Sequence, residues 1–289
     1  MDNLRGAGIM VLAMLGFAIE DMFIKLLAGS LPIGQIIGLM ATGGAITYAL
    51  ICRSMGLALF SRDMLTAPVL IRNFGELFGT VGFMTAIALT PISTASAILQ
   101  ATPLVVTLGA AVFLGEKVGW RRWSAILVGF VGVMLIIRPG MEGFDYLSLF
   151  TLQGVLGLAI RDIATRRIPK SMSSMQLSFL AFVVLIPAAL ILQSVNDTWW
   201  VAPSPTGWLL VGCSIVIGVT AYYGIVAAMR VGEVSFVTPF RYSRLLFALV
   251  VGFFVFQERP DALTLLGSVI IVASGIYTVW RERRVKTAL

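Results

Sequence analysis

Nine charged residues fall inside long apolar stretches of this sequence: Glu20, Asp21, Lys25, Arg72, Glu76, Arg161, Asp162, Arg241 and Arg244. A charge at the centre of a membrane-spanning helix costs about 2.5 to 3.5 kcal/mol on insertion scales, so such residues must face one another or a wet cavity. Arg241 and Arg244 stand three apart, which on a helix turns both guanidinium groups towards one face. Arg244 lies about ten residues, or ~15 Å, into its stretch, near the midplane of a bilayer. Two cations there attract an anion. One arginine could grip a substrate carboxylate through parallel hydrogen bonds while the other stays paired with a protein acid. Alternatively, both pair with protein carboxylates and serve only to hold helices together.

Arg72 and Glu76 stand four apart and can pair along one helix. Glu76 is the deeper of the two, and without a partner it would be a candidate proton carrier. Gln35, Gln100, Gln176, Tyr222, Tyr223 and Tyr242 are further candidates for lining a cavity that takes an amphipathic organic solute. The six tryptophans sit near the ends of apolar stretches and read as interface anchors. Small residues at Gly38, Gly43, Gly44, Gly75, Gly79 and Gly82 permit close helix approach. Pro91, Pro103, Pro187 and Pro239 are candidate kinks or hinges.

Other chemistries lack their residues. The chain has no histidine, which excludes His-based triads, HExxH zinc sites and His proton relays. Cys52 and Cys213 lie far apart within apolar stretches and support neither a disulfide framework nor a metal site. No P-loop occurs, so ATP drive within this chain is not expected. No cofactor is expected.

The elements that must position these residues follow from composition. Of 289 residues, 58% are hydrophobic and only 12% charged, against roughly a quarter charged in soluble domains. Lipid must therefore cover most of the chain, and a net charge of +7 reports topology here, with no nucleic-acid partner expected. A helix crosses a bilayer core with about 20 apolar residues. Ten such stretches are predicted: Leu4–Leu27, Ile33–Cys52, Ala67–Leu89, Ile92–Leu114, Trp123–Ile137, Leu147–Thr165, Met172–Gln193, Thr206–Met229, Val234–Phe256 and Ala262–Trp280. With the N-terminus in the cytoplasm, Arg5, Arg53, Arg62, Lys117, Arg121, Arg122, Arg166, Arg167, Lys170, Arg230, Arg281, Arg283, Arg284 and Lys286 fall inside, and only Arg138 and Arg259 outside. The positive-inside rule then puts both termini in the cytoplasm.

The chain also repeats. Leu15-Gly16-Phe17-Ala18-Ile19-Glu20-Asp21 matches Leu156-Gly157-Leu158-Ala159-Ile160-Arg161-Asp162 at five of seven positions, an offset of 141. At that offset Gln35 falls on Gln176, and at 142 Gly82 falls on Gly224, Ser93 on Ser235 and Glu116 on Glu258. Five spans per copy is an odd number, so the second copy enters the membrane inverted, the usual construction of alternating-access carriers. Asp21 and Asp162 are equivalent and read as scaffold; Glu20 and Arg161 are equivalent with opposite charge. Arg241 and Arg244 replace Leu99 and Thr102, whereas Arg72, Asn73 and Glu76 face Ser214, Ile215 and Gly218.

Phe113-Leu114-Gly115-Glu116 and Phe256-Gln257-Glu258, each followed by a glycine-containing last helix (Gly129 and Gly132; Gly267 and Gly275), resemble the repeat ends of the drug/metabolite transporter superfamily, EamA type. The second copy departs in having Gln257 where the first has Gly115. The resemblance covers essentially the whole chain. It implies an all-α membrane protein of ten transmembrane helices, arranged as two inverted five-helix repeats (residues 1–140 and 141–289) around a central cavity. It also implies residence in a bacterial inner or plasma membrane and export of an amino acid or related metabolite.

The expectation is thus a secondary carrier of a small organic zwitterion or anion, working by alternating access. Substrate-binding candidates are Arg241, Arg244, Tyr242, Gln35, Gln100, Gln176 and Tyr222; candidates for proton coupling or ion pairing are Glu76, Arg72, Asp21, Asp162 and Glu20. Nucleosides, quaternary amines and drugs remain open as substrates. A channel and a polytopic membrane enzyme are the alternatives from other classes; the second lacks a nucleophile–base constellation.

Overall fold

The computed structural model describes residues 2–115, 119–140, 144–169, 171–194, 200–231 and 237–286. Glu116, Lys117, Lys170, Trp199 and Ser235 lie outside the described residues. Each expected stretch is helical, with ends shifted by a few residues. The elements are α1 (Asp2–Ala28), α2 (Ile33–Ser54), a 3₁₀ turn (Arg62–Leu65), α3 (Ala67–Leu89), α4 (Ile92–Leu99), α5 (Thr102–Phe113), α6 (Trp120–Ile137), α7 (Ser148–Thr165), α8 (Ser174–Ser194), α9 (Pro205–Val231), a second 3₁₀ turn (Thr238–Tyr242), α10 (Ser243–Phe256) and α11 (Ala262–Lys286). No strand occurs among the described residues.

Two stretches are broken near their middles. The fourth divides into α4 and α5, with Pro103 in the first turn of α5, and the ninth contains a 3₁₀ turn carrying Pro239 just before α10. Proline lacks an N–H and its ring crowds the carbonyl four residues back, so the helix stops before it. Pro91 instead precedes the first residue of α4, and Pro187 lies inside the continuous α8, so neither divides a span.

The main helix contacts join early elements to late ones. α1 packs on α9, α3 on α7, α2 on α8 and α6 on α11; α4 lies against α10. Polar contacts at the helix ends fix which ends lie together. Gln35 at the start of α2 holds Val201, just before α9, through Nε2 to the carbonyl (2.7 Å) and Oε1 from the N–H (3.0 Å). At the opposite end Gln176, at the start of α8, donates to the Ala58 carbonyl at 2.7 Å. The helices therefore run alternately up and down. The end where α1 finishes is called distal below, and that where α1 begins proximal.

Large apolar side chains such as Leu12, Leu50, Val216 and Phe254 point outwards with more than half their surface open, a covering that water would not tolerate but lipid does. Six of the helical stretches are long and apolar enough to cross a membrane by length and composition. α3 and α7 are not among the six, because they carry Arg72, Glu76, Arg161 and Asp162; they turn these charges onto each other. This is the construction of an integral membrane protein.

Candidate functional site

The α3–α7 crossing is built on glycine. A Cβ at Gly75 would lie 2.6 Å from the Arg161 nitrogen, one at Gly79 2.7 Å from the Leu158 nitrogen, and one at Gly157 would run into Gly79 itself. With no side chains between them the two backbones touch, as small residues allow in membranes. Polar side chains beside the contact are thereby brought within reach of one another.

At that crossing Glu76 stands between two arginines. Its carboxylate is 3.6 Å from Arg72 and 3.4 Å from Arg161, and accepts the Thr80 hydroxyl at 3.2 Å. Arg161 turns its Nε and Nη2 to Asp162 at 2.9 and 2.8 Å. Arg72 donates to Asn73 and to the Tyr222 hydroxyl, both at 3.1 Å. Arg72, Asn73 and Glu76 are all buried. The condition for a proton carrier at Glu76, absence of a partner, is not met, and Tyr222 belongs to this network together with the rings of Tyr48 and Phe182.

The α1–α9 crossing has the same small-residue contact, Gly16 against Ala221 and Gly224 against Ala13, but different charges. Asp21, 2% exposed, receives Arg244 bidentately at 2.8 and 2.7 Å, with Nε at 3.1 Å. The guanidinium lies 5.0 Å from the ring centres of both Phe17 and Phe83, a geometry that adds cation–π attraction to the ion pair. Arg244 is therefore the paired arginine, and the bond joins residues 223 apart in sequence.

Beside that pair stand two charges of a different kind. Glu20 packs its carboxylate against Gly218 of α9, so closely that a Cβ on Gly218 would overlap it. Its charged neighbours are Asp21 and Arg244, and it makes no hydrogen bond or ion pair among the described residues. Arg241, in the second 3₁₀ turn, has Asp162, Arg161 and Arg244 as charged neighbours and likewise makes no hydrogen bond or ion pair. Glu20 from α1 and Arg241 from the turn thus share Arg244 as a charged neighbour.

The remaining candidates are placed more modestly. Gln35 and Gln176 clamp backbone at opposite ends of the bundle and are not brought to its centre. Gln100, at the break between α4 and α5, donates to the Tyr242 carbonyl at 3.2 Å, joining the two breaks. Tyr242 is buried against Gly275, and its hydroxyl has no partner. Lys25 is held at the distal end by Glu258 at 3.5 Å and by the Thr90 carbonyl. Cys52 and Cys213 are both free, and no metal-ligating cluster occurs among the described residues. Phe83 and Thr80 escaped the sequence reading because nothing in their local pattern marks them; Phe17, Ser93 and Gly218 entered it only through the repeat register, which does not show what they touch.

Comparison with known proteins points to a family of transporters. The EamA-like transporter family matches the chain twice, over residues 4–138 and 147–280. A pseudopaline exporter from Pseudomonas aeruginosa is 28% identical over 287 residues, 96% of each chain. A riboflavin transporter from Vibrio cholerae is 30% identical over 217 residues, 74% of this chain and 72% of that one. An S-adenosylmethionine uptake transporter from Rickettsia conorii is 26% identical over 217 residues, with the same coverage. A solved crystal structure superposes with a TM-score of 0.61 at 19% identity, covering 95% of this chain and 98% of that one, which speaks for the fold alone. Matched in both halves and over nearly its whole length, the chain belongs to the EamA-like transporter family.

Proposed function

We propose that this protein is a secondary transporter of a small organic solute bearing both a carboxylate and a cationic group, an amino acid or a related zwitterion. The carrying observation is the state of the intramembrane charges. Of the nine, Glu20 and Arg241 lack a hydrogen bond or ion pair, and the other seven are paired. An unpaired, half-buried charge within a membrane span is costly, so a solute that supplies the missing counter-charge binds where those two charges stand. Arg241 presents the planar fork that takes a carboxylate by parallel hydrogen bonds, and Glu20 takes the cationic group. Arg244 keeps the site in shape from its place between Asp21 and the two phenylalanine rings.

Movement of the solute follows alternating access between two inverted halves, residues 1–140 and 141–289. In support, the family matches once in each half. By the repeat register α1 corresponds to α7 and α3 to α9, and the contacts α1–α9 and α3–α7 are exchanged by that correspondence. The cation distribution favours cytoplasmic termini in a bacterial inner membrane. Efflux is the proposed direction, because the relative that aligns over 96% of the chain is an exporter, while the uptake relative aligns over 74%.

The test is counterflow into proteoliposomes with a panel of labelled amino acids, their decarboxylated amines and their deaminated acids. Members with both charges are exchanged. Arg241→Gln removes the advantage of the carboxylate and Glu20→Gln that of the cationic group, each by about 10- to 100-fold. Exchange indifferent to both substitutions, or a preference for solutes carrying neither group, overturns the reading.

A further inference from the structure

The C-terminal end of α10 holds a carboxylate that the site above does not use. Gln257 and Arg138 are the two non-glycine residues with positive φ among the described residues, and Gln257 (φ 55) closes α10 in the left-handed conformation. That conformation carries a steric cost for an L-residue. Its effect is to turn the chain back, so that the Glu258 N–H bonds the Gly252 carbonyl at 2.8 Å and the Glu258 side chain faces α4.

There Glu258 accepts three hydrogen bonds: from the N–H of Ile92 (2.8 Å), the N–H of Ser93 (3.0 Å) and the hydroxyl of Ser93 (2.6 Å). A carboxylate at this position meets orphan N–H groups and the positive end of α4. Lys25, from the end of α1, closes the arrangement at 3.5 Å and donates also to the Thr90 carbonyl. One side chain of the second half thus ties together the distal ends of α1 and α4 in the first. Gly252 leaves the room for it, since a Cβ there would lie 2.7 Å from the Glu258 carboxylate.

Beneath this point the α4–α10 seam is polar yet closed. Ser93, Ser96 and Gln100 follow one face of α4, with the first bound to Glu258 and the last to the Tyr242 carbonyl. Ser96 between them is 1% exposed and its hydroxyl has no partner. A buried hydroxyl left unpaired in the closed state gains a partner when water enters. Above the seam, a cleft of about 320 Å³ lined by Thr94, Arg138, Arg259 and Asp261 reaches down to Ser93 and Glu258.

We propose that Glu258 is a gate residue: its carboxylate, braced by Lys25, holds the α4–α10 seam shut at the distal end, and its release lets water and solute reach the interior. The proposal rests on the transport reading only in calling the opening a gate, and the experiment needs no substrate, so the two fail separately. Ser93, Glu258 and Lys25 have counterparts of the same type in the repeat register, Ser235, Glu116 and Arg166.

Full-length protein carrying Ser96→Cys and Cys213→Ala in lipid nanodiscs is labelled with a water-soluble maleimide. Native Cys52, fully buried at the other end, serves as the internal control, with peptides resolved by mass spectrometry. Glu258→Gln raises the labelling rate at position 96 about tenfold over the parent with Cys52 unchanged, and Glu258→Asp largely restores protection. Lys25→Gln, which leaves the three bonds to α4 in place, gives a smaller rise and carries the test if Glu258→Gln does not fold. Unchanged labelling at position 96 in the folded variants, or equal rises at positions 96 and 52, overturns the proposal, the latter because it reports general loosening.

Discussion

The crossings α3–α7 and α1–α9 are two versions of one joint. Each brings backbones into contact through small residues, and each carries charge at the same height in the repeat register. In the first, Arg161 leans across and finds Glu76. In the second, Glu20 occupies the position of Arg161, and opposite it the place of Glu76 is taken by Gly218, which has no side chain to offer. The first joint thereby pairs each of its four charges internally. The second keeps a carboxylate in reserve and spends its ion pair, Asp21–Arg244, on holding α1 to α10. Under the proposed function, the two copies divide rigidity and recognition between them by changing the partners of two residues.

Substitutions at the two joints and at the repeat ends can break or sharpen that comparison. The largest effect is expected at the backbone contact: Gly157→Leu drives α7 off α3 and destabilises by at least ~3 kcal/mol. Gly16→Ala at the sister joint, where the new Cβ meets that of Ala221 at 2.9 Å, costs about 1 kcal/mol by thermal melting. Next is the contrast of acids. Glu76→Gln strands the buried charge of Arg72, while Arg161 keeps Asp162, and costs about 3 to 5 kcal/mol. Glu20→Gln changes stability by less than about 1 kcal/mol while impairing transport; equal melting shifts for the two would dissolve the distinction between the joints. At the repeat ends the difference is smaller. Gly115 (φ 67) and Gln257 (φ 55) take the same backbone conformation, so Gln257→Gly is neutral or stabilising by up to ~1 kcal/mol, whereas β-branched Gln257→Val is destabilising.

The smallest effect concerns pH. Asp261 caps α11 through the Thr264 N–H at 2.8 Å and pairs with Arg138; the Arg138 hydrogen bond first, then the Thr264 backbone bond, draw its carboxyl down to about 2. The folded value lies below the unfolded one of about 3.9, so its contribution is complete above about pH 4 and fades as pH falls towards 2. Asp261→Asn therefore lowers the melting temperature slightly at pH 6, and the gap to the parent narrows at pH 3. Its side chain is half open to solvent, which keeps the effect small.

Much of this architecture could be read along the chain. The ten apolar stretches are all helical, and Pro103 and Pro239 mark the two breaks, because bilayer thickness and the missing proline N–H act on local sequence. The repeat register named Glu20 and Arg161 as opposites and Gly218 as the counterpart of Glu76. Reading further failed where side-chain roles depend on distant helices. Gln35 and Gln176 look like cavity residues by type and are backbone clamps by position. Along α3 Glu76 can be seen to pair only with Arg72, and the second arginine that holds it, Arg161, comes from α7. Between Arg241 and Arg244 the sequence left the roles open, and three residues of separation decide them: only Arg244 reaches Asp21.

By itself, then, the sequence determined a lipid-covered helical chain, the places where its helices begin, break and repeat, and the short set of charges that must be reconciled with the membrane. These follow from composition, period and proline chemistry, all local quantities. The tertiary structure decided which of those charges neutralise one another. That outcome depends on the depth and rotation of helices brought together from residues as far apart as Asp21 and Arg244, and no local pattern encodes it.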